Sequence, residues 1–182
     1  YAPGTQTKYS NAAIAVVGHV VEKVSGMEFE QYVQEHFLQP MAMKTSSFYL
    51  LPELKGKLAQ GWMWSQHAPR FEPPLWPLGT LPAGNLYAST NDLGNFLITV
   101  LNEGRFQERE ILNAEQMRAM LEPAVDEQGK PTLYGVGFRL GELDGHRTFG
   151  HGGAVYGYAT QVTGMPDDQI GVAAVASLDV AN

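Results

Sequence analysis

Two short stretches carry side chains able to move protons: Tyr9-Ser10-Asn11 near one end of the chain and His151-Gly152-Gly153 near the other. A phenol and an imidazole are both used as general acids and bases. Each stretch alone also fits plain structure: a Tyr ahead of a helix packs, an Asn caps, and a His beside glycines turns the chain. The five histidines, His19, His36, His67, His146 and His151, show no zinc-ligand spacing and no His-Glu-x-x-His. A metal site is left only to residues distant in sequence, and no cofactor is expected. Gly150-His151-Gly152-Gly153 follows a predicted strand but opens no helical pattern, so it does not read as a phosphate-binding loop. The absence of cysteine excludes disulfides, thiolate catalysis and Cys-ligated zinc.

The elements that must hold these residues follow from periodicity. Ile14, Val17, Val21 and Val24 recur at three- and four-residue steps, which predicts a helix capped by Asn11 and stopped by Gly26. A second helix is predicted over about residues 28–38, with Phe29, Tyr32, Val33 and Phe37 on one side and Pro40 ending it. Pro52, Pro69, Pro73, Pro74, Pro77 and Pro82 forbid long regular elements over residues 50–85. The aromatics there, Trp62, Trp64, Phe71 and Trp76, either line a cleft or anchor the loop on the core. Ser89, with an acid three residues on, predicts a helix whose inner face is Leu93, Phe96, Leu97, Val100 and Leu101 and which Gly104 closes. A short helix follows Asn113, with Gln116 three residues later.

The last third reads as strands: Tyr134 to Leu140, about 146–151, about 156–165, and Ile170 to Ser177 after a turn at Pro166-Asp167-Asp168. The Val/Ala-rich final strand is expected to be buried on both faces. Short connections imply an antiparallel sheet. Helices followed by strands predict an α+β fold, with a helical and loop part over 1–123 and a sheet part over 124–182.

Together with their flanks, these stretches resemble the serine β-lactamase and penicillin-binding protein superfamily, in its class C β-lactamase-like branch of esterases and D-amino-acid peptidases. That family carries a Pro-Gly loop leading to Tyr-x-Asn at a helix start, here Pro3-Gly4 through Tyr9-Ser10-Asn11. Its Pro-Leu-Gly-Met-like stretch is matched by Pro40-Met41-Ala42-Met43. Its Pro-Ala-Gly-Gly-Leu-like loop, which runs into a Ser/Thr-Asp helix start, is matched by Pro82-Ala83-Gly84-Asn85-Leu86 and Ser89 to Asp92. Its strand-edge Lys-Thr-Gly or His-x-Gly is matched by His151-Gly152-Gly153. The resemblance implies a β-lactamase/transpeptidase-like fold and acyl-enzyme chemistry on an amide or ester: a β-lactam, a D-amino-acid peptide or an ester.

The resemblance also implies roles. Serine acyl transfer needs a base for the hydroxyl proton and an acid for the leaving group. Tyr9 would relay that proton, which a phenol does near neutral pH only where nearby cations favour its phenolate. Asn11 would hydrogen-bond the family's Lys and the substrate amide. His151 would supply a polar or cationic group on the opposite wall. Gly152 and Gly153 would leave room for substrate along the strand, and the Ala154 N–H would be one oxyanion donor.

Two departures stand out. Asn85 replaces a Gly of the family loop, and His151 stands where β-lactamases proper carry Lys, which favours an esterase or peptidase-like relative. The nucleophile motif is missing: none of Ser10, Ser25, Ser46, Ser47, Ser65, Ser89 and Ser177 has Lys three residues on. Ser-x-x-Lys lies upstream of Tyr-x-Asn in the family, and the family closes with a helix on the sheet. The chain is therefore expected to be a portion of a longer protein, inactive alone, and completed by an N-terminal segment or by self-association. A non-catalytic binding module of the same fold and an unrelated α+β domain are the alternatives.

Net charge is -7, with no Lys/Arg cluster, which argues against nucleic acid as a partner and leaves a small-molecule or peptide substrate. No apolar run reaches the ~18–20 residues of a membrane span. The residues leave the compartment open, while the resemblance implies the periplasm or the extracellular space.

Overall fold

The computed structural model describes Ala2, Thr5, residues 8–66 and residues 69–179. Pro3-Gly4 and His67 lie outside the described residues.

Helix α1 spans Asn11–Ser25. Ser10 caps it in place of the expected Asn11: its backbone is extended and its hydroxyl accepts from the Ala13 N–H at 3.1 Å. Ser and Asn cap equally well, so adjacent candidates cannot be separated by residue type. Gly26 ends the helix in the left-handed region at φ 71, donating to the Glu22 carbonyl at 2.9 Å. The predicted apolar face is present but largely uncovered. Only Gly18 is buried, with Pro82 and Phe29 closing on it. Ile14, Val16, Val17 and Val20 are exposed, and Val24 is 84% exposed.

Helix α2 (Phe29–Val33) runs on into a π turn, Gln34–Leu38. Leu38 joins Met41, Met43, Phe48 and Phe106 in one core cluster, with Phe29, Val33 and Phe37 around it. Among its described residues, the proline-rich stretch holds one 3₁₀ helix, Pro52–Lys57. Helix α3 (Thr90–Leu101) is capped by Ser89, whose hydroxyl accepts from the Asp92 N–H at 3.2 Å. The Asp92 carboxylate does not reach back to the cap. It is buried, accepting from the Thr45 N–H, the Thr45 hydroxyl and the Ser46 hydroxyl at 2.8, 2.9 and 2.8 Å. A two-residue ladder, β1 (Arg105–Phe106) with β2 (Arg109–Glu110), precedes α4 (Ala114–Met120), which starts in a full Asn113–Gln116 capping box.

Strands β3 (Arg139–Leu143), β4 (His146–Val155), β5 (Tyr158–Met165) and β6 (Ile170–Ala176) form an antiparallel meander in the order β3-β4-β5-β6. Helix α3 packs across β5 and β6. Leu97, Val100 and Leu101 of α3 meet Met117, Phe138 and Phe149, and Phe149 is 1% exposed. This is an α+β molecule of helices plus an antiparallel sheet, as the order of patterns predicts.

Three strand expectations shift. The strand predicted over Tyr134–Leu140 begins only at Arg139, because the chain first reverses: Gly137 sits at φ 80 and the Gly135 N–H donates to the Phe138 carbonyl at 2.9 Å. The strand expected to end at His151 continues to Val155, since the reversal comes at Tyr156-Gly157, with Gly157 at φ 83. Strand β6 is covered on one face only. Gly171 lies against Leu97 and Leu101, while Ile170 and Val172 alternate onto the other face and are exposed.

Candidate active site

Tyr9 precedes the α1 cap and is held away from the core, 71% exposed. Its ring centroid lies 5.9 Å from that of His151 on β4, with the planes tilted by 38°. The start of α1 and the middle of β4 thus meet, bringing together the two proton-moving side chains that the sequence singles out. Asn11 is the first helical residue, two positions from Tyr9, and is exposed.

Pairing along β4 explains how the strand presents its other groups. Its ladder with β3 ends at Arg139–Gly150, so residues 151–155 run past that neighbour. The β4–β5 connection is a two-residue loop between Val155 and Tyr158, which makes that pair hydrogen-bonded and sets the alternation. Val155, Gly153 and His151 bond across to β5. Gly152 and Ala154 direct their N–H and C=O groups to the opposite edge, beyond the end of β3. The Ala154 N–H is therefore oriented as an edge donor. Side chains alternate too, so His151, Gly153 and Val155 share a face with Phe149.

His151 Nδ1 lies 2.7 Å from the Gly152 carbonyl oxygen. A carbonyl only accepts, so Nδ1 carries the donated proton. Nε2 is then an acceptor in the neutral ring and a donor in the cation. The two glycines have a packing reason of their own. A Cβ on Gly152 would lie 2.7 Å from Gln161 Oε1, and one on Gly153 would lie 2.9 Å from Thr160 Oγ1. Gln161 is held by its own strand, its Nε2 donating to the Val162 carbonyl and the Thr163 hydroxyl at 3.0 Å each.

The aromatic loop is anchored on the sheet at Trp62, whose N–H donates to the carbonyls of Ser177 and Gly157 at 3.0 and 3.3 Å. The Tyr158 hydroxyl donates to the Ala59 carbonyl at 2.7 Å, and burial pushes that phenol above its ordinary value. Trp76 meets Tyr156 at the hairpin tip edge-on, with centroids 6.0 Å apart. The loop is thus tied to the sheet at the Trp62 main chain, and the Trp76 ring rests against the β4–β5 hairpin tip. The partners of the buried Asp92 carboxylate, Thr45 and Ser46, lie more than forty residues away in the chain, so no local pattern shows them. Among the described residues, no group of three or more His, Asp or Glu side chains is placed to hold a metal. No helix among them is long and apolar enough to cross a membrane.

The Beta-lactamase family model matches residues 1–182. Beta-lactamase-like protein 2 of Dictyostelium discoideum is 32% identical over 157 residues, covering 78% of this chain and 28% of its own length. The D-aminopeptidase of Brucella abortus is 25% identical over 179 residues, covering 93% of this chain and 31% of its own length. The octameric penicillin-binding protein homologue from Pyrococcus abyssi superposes with a TM-score of 0.80 at 25% identity, covering 96% of this chain and 39% of that one. The chain thus spans less than half the length of these relatives, and the fold it shares with them is that of β-lactamases and transpeptidases.

Proposed function

Since this chain belongs to the beta-lactamase family, we propose that it forms the Tyr-x-Asn and His-x-Gly walls of a serine hydrolase acting through an acyl-enzyme on an amide or ester. The nucleophile belongs to a Ser-x-x-Lys segment outside the chain. The observation that carries this reading is the 5.9 Å approach of the Tyr9 and His151 rings, from opposite ends of the sequence.

In this reading the two parts, 1–123 and 124–182, contribute one wall each. The serine hydroxyl attacks the substrate carbonyl, and its proton passes to Tyr9, which hands it to the leaving nitrogen or oxygen. The carbonyl oxygen gains charge facing the Ala154 N–H on the free edge of β4, with the nucleophile's own N–H as second donor. Asn11 orients the upstream Lys and the substrate amide. His151, with Nδ1 committed to the Gly152 carbonyl, offers Nε2 to the substrate or to the Tyr9 hydroxyl. Water then releases the acyl group and restores the serine. Gly152 and Gly153 keep the strand low enough for substrate to lie on it.

The substrate class is a β-lactam, a D-amino-acid peptide or an ester, and the name of the Brucella relative supports the peptide among these. The exposed faces of α1 and β6 support completion by the upstream segment, or by a second copy when that segment is missing. The compartment proposed is the periplasm or extracellular space. A non-catalytic binding module is the second reading, and a full-length protein that also lacks Ser-x-x-Lys would favour it. Turnover by the wild-type full-length protein separates the two, and Tyr9→Phe then tests the relay. A proton relay requires kcat to fall by about 10²–10⁴-fold with substrate binding kept, whereas turnover unchanged by the substitution removes Tyr9 from the chemistry.

A further inference from the structure

Asn85 stands where the resembled family loop has glycine, and its side chain is put to use here. It is 7% exposed. Its Oδ1 accepts from the Leu78 N–H at 2.9 Å, and its Nδ2 donates to the Leu78 carbonyl at 3.3 Å. The Leu78 N–H can only donate, which fixes which way round the carboxamide lies. Both backbone groups of Leu78 are thereby paired by one side chain, as a neighbouring strand would pair them. A glycine at this position would leave both without that partner.

What Leu78 does next connects the clamp to the site. A Cβ on Gly84 would lie 2.9 Å from Leu78 Cδ1 and 3.9 Å from Val155 Cγ1, so Leu78 and Val155 converge on the same glycine. Gly84 sits at φ 105, a conformation that suits glycine. Val155 shares the β4 face of His151 and Gly153 and directly follows Ala154. The position of the Leu78 side chain therefore sets the clearance at the far end of that face.

We propose that Asn85 is a positioning residue of the cleft: by fixing the main chain of Leu78 it holds the Leu78 side chain beside Gly84 and Val155, and so sets how large a substrate group fits there. The proposal rests on the reading of the site as an acyl-serine hydrolase. A staple acting only on the local turn would affect stability and leave discrimination between small and large substrates alone.

The test uses the full-length protein carrying this chain, with hydrogen exchange at the Leu78 amide and hydrolysis of p-nitrophenyl acetate and p-nitrophenyl hexanoate. In Asn85→Ala, the Leu78 amide is expected to exchange about tenfold faster or more, with the Phe149 amide unchanged. The KM for the hexanoate is expected to move by about fivefold or more relative to that for the acetate, with kcat for the acetate little changed. Asn85→Asp retains the acceptor and should keep Leu78 protected. Leu78→Ala leaves the backbone clamp intact and should shift the hexanoate KM without speeding exchange. Should Asn85→Ala fail to fold, the other two variants decide. Unchanged exchange at Leu78 in Asn85→Ala, faster exchange in Leu78→Ala, or an unchanged hexanoate-to-acetate ratio in either of these two variants overturns the proposal. If the wild type hydrolyses neither ester, the reading of the site fails and the cleft role of Asn85 falls with it, while exchange still decides whether the clamp exists.

Discussion

Substituting Phe149 and Gly164, singly and together, probes the cross-strand contact that seats β4 against β5 two residues before His151. Phe149 is 1% exposed and meets Phe138 edge-on with centroids 5.2 Å apart. Gly164 is its cross-strand partner on β5, and a Cβ there would run into the Phe149 ring at Cζ and Cε1. Phe149→Ala removes a filled ring from the core and should cost about 3–5 kcal/mol, a large share of the ~5–15 kcal/mol that holds a domain together. Gly164→Ala in the presence of the ring overpacks the same spot and should cost about 1–3 kcal/mol. In the double variant the new methyl enters the space the ring has left. The two costs should then fall short of their sum by about 1 kcal/mol or more. Urea unfolding followed by tryptophan fluorescence reads all four corners of the cycle, with an unchanged slope certifying the comparison. Costs that add to within about 0.5 kcal/mol would refute the contact, and so would a Gly164→Ala variant as stable as the wild type.

Asp92→Ala leaves the Thr45 N–H and the Ser46 hydroxyl without their acceptor, while the Thr45 hydroxyl keeps Ser89 Oγ at 2.9 Å, and should cost about 2–3 kcal/mol in the same unfolding assay, whereas a loss of a few tenths would show that the network is ornamental. The Arg147 guanidinium, paired with Asp167 at 2.6 and 2.7 Å, holds the Asp167 carboxyl below its ordinary value. The stability this contributes is present above the unfolded carboxylate value of about 4 and is lost as pH falls through the lowered folded value. Asp167→Asn should therefore narrow the difference in Tm between neutral and acid pH, and an unchanged difference would contradict the pair's role. The 182-residue chain alone should self-associate in sedimentation through the exposed apolar residues of α1 and β6, and a well-behaved monomer at tens of micromolar (about 50 μM) would count against it.

Caps and periods made much of the fold legible. Ser89, Asn113 and Gly26 mark helix ends because their side chains or lack of one satisfy specific backbone groups, and the structure uses each in that way. The first strand of the sheet starts later than its pattern predicts because Gly135 and Gly137 sit inside an apolar run, and the reversal there shows only in the positive φ of Gly137 and the Gly135 N–H bond to the Phe138 carbonyl. Burial was the least legible property. The apolar periodicity of α1 marks a face that Pro82 and Phe29 cover only at Gly18, and the Val/Ala pattern of β6 marks a strand with one face against α3. Tyr9 and His151 were visible as chemistry-bearing types, but their meeting joins residues 142 positions apart, which no local pattern encodes. Asn85 was visible only as an exception, and its purpose lies in a backbone seven residues away.

The central claim is that this chain carries the walls of an acyl-serine site and receives its nucleophile from elsewhere. Intact-mass and peptide analysis after treatment with a fluorophosphonate tests it most directly, with the full-length protein and the 182-residue chain side by side. The expected result is one adduct on the full-length protein, on the serine of a Ser-x-x-Lys sequence outside this chain, and none on the chain alone. An adduct on any of Ser10, Ser25, Ser46, Ser47, Ser65, Ser89 or Ser177, or a full-length protein that carries no adduct at all, would contradict it.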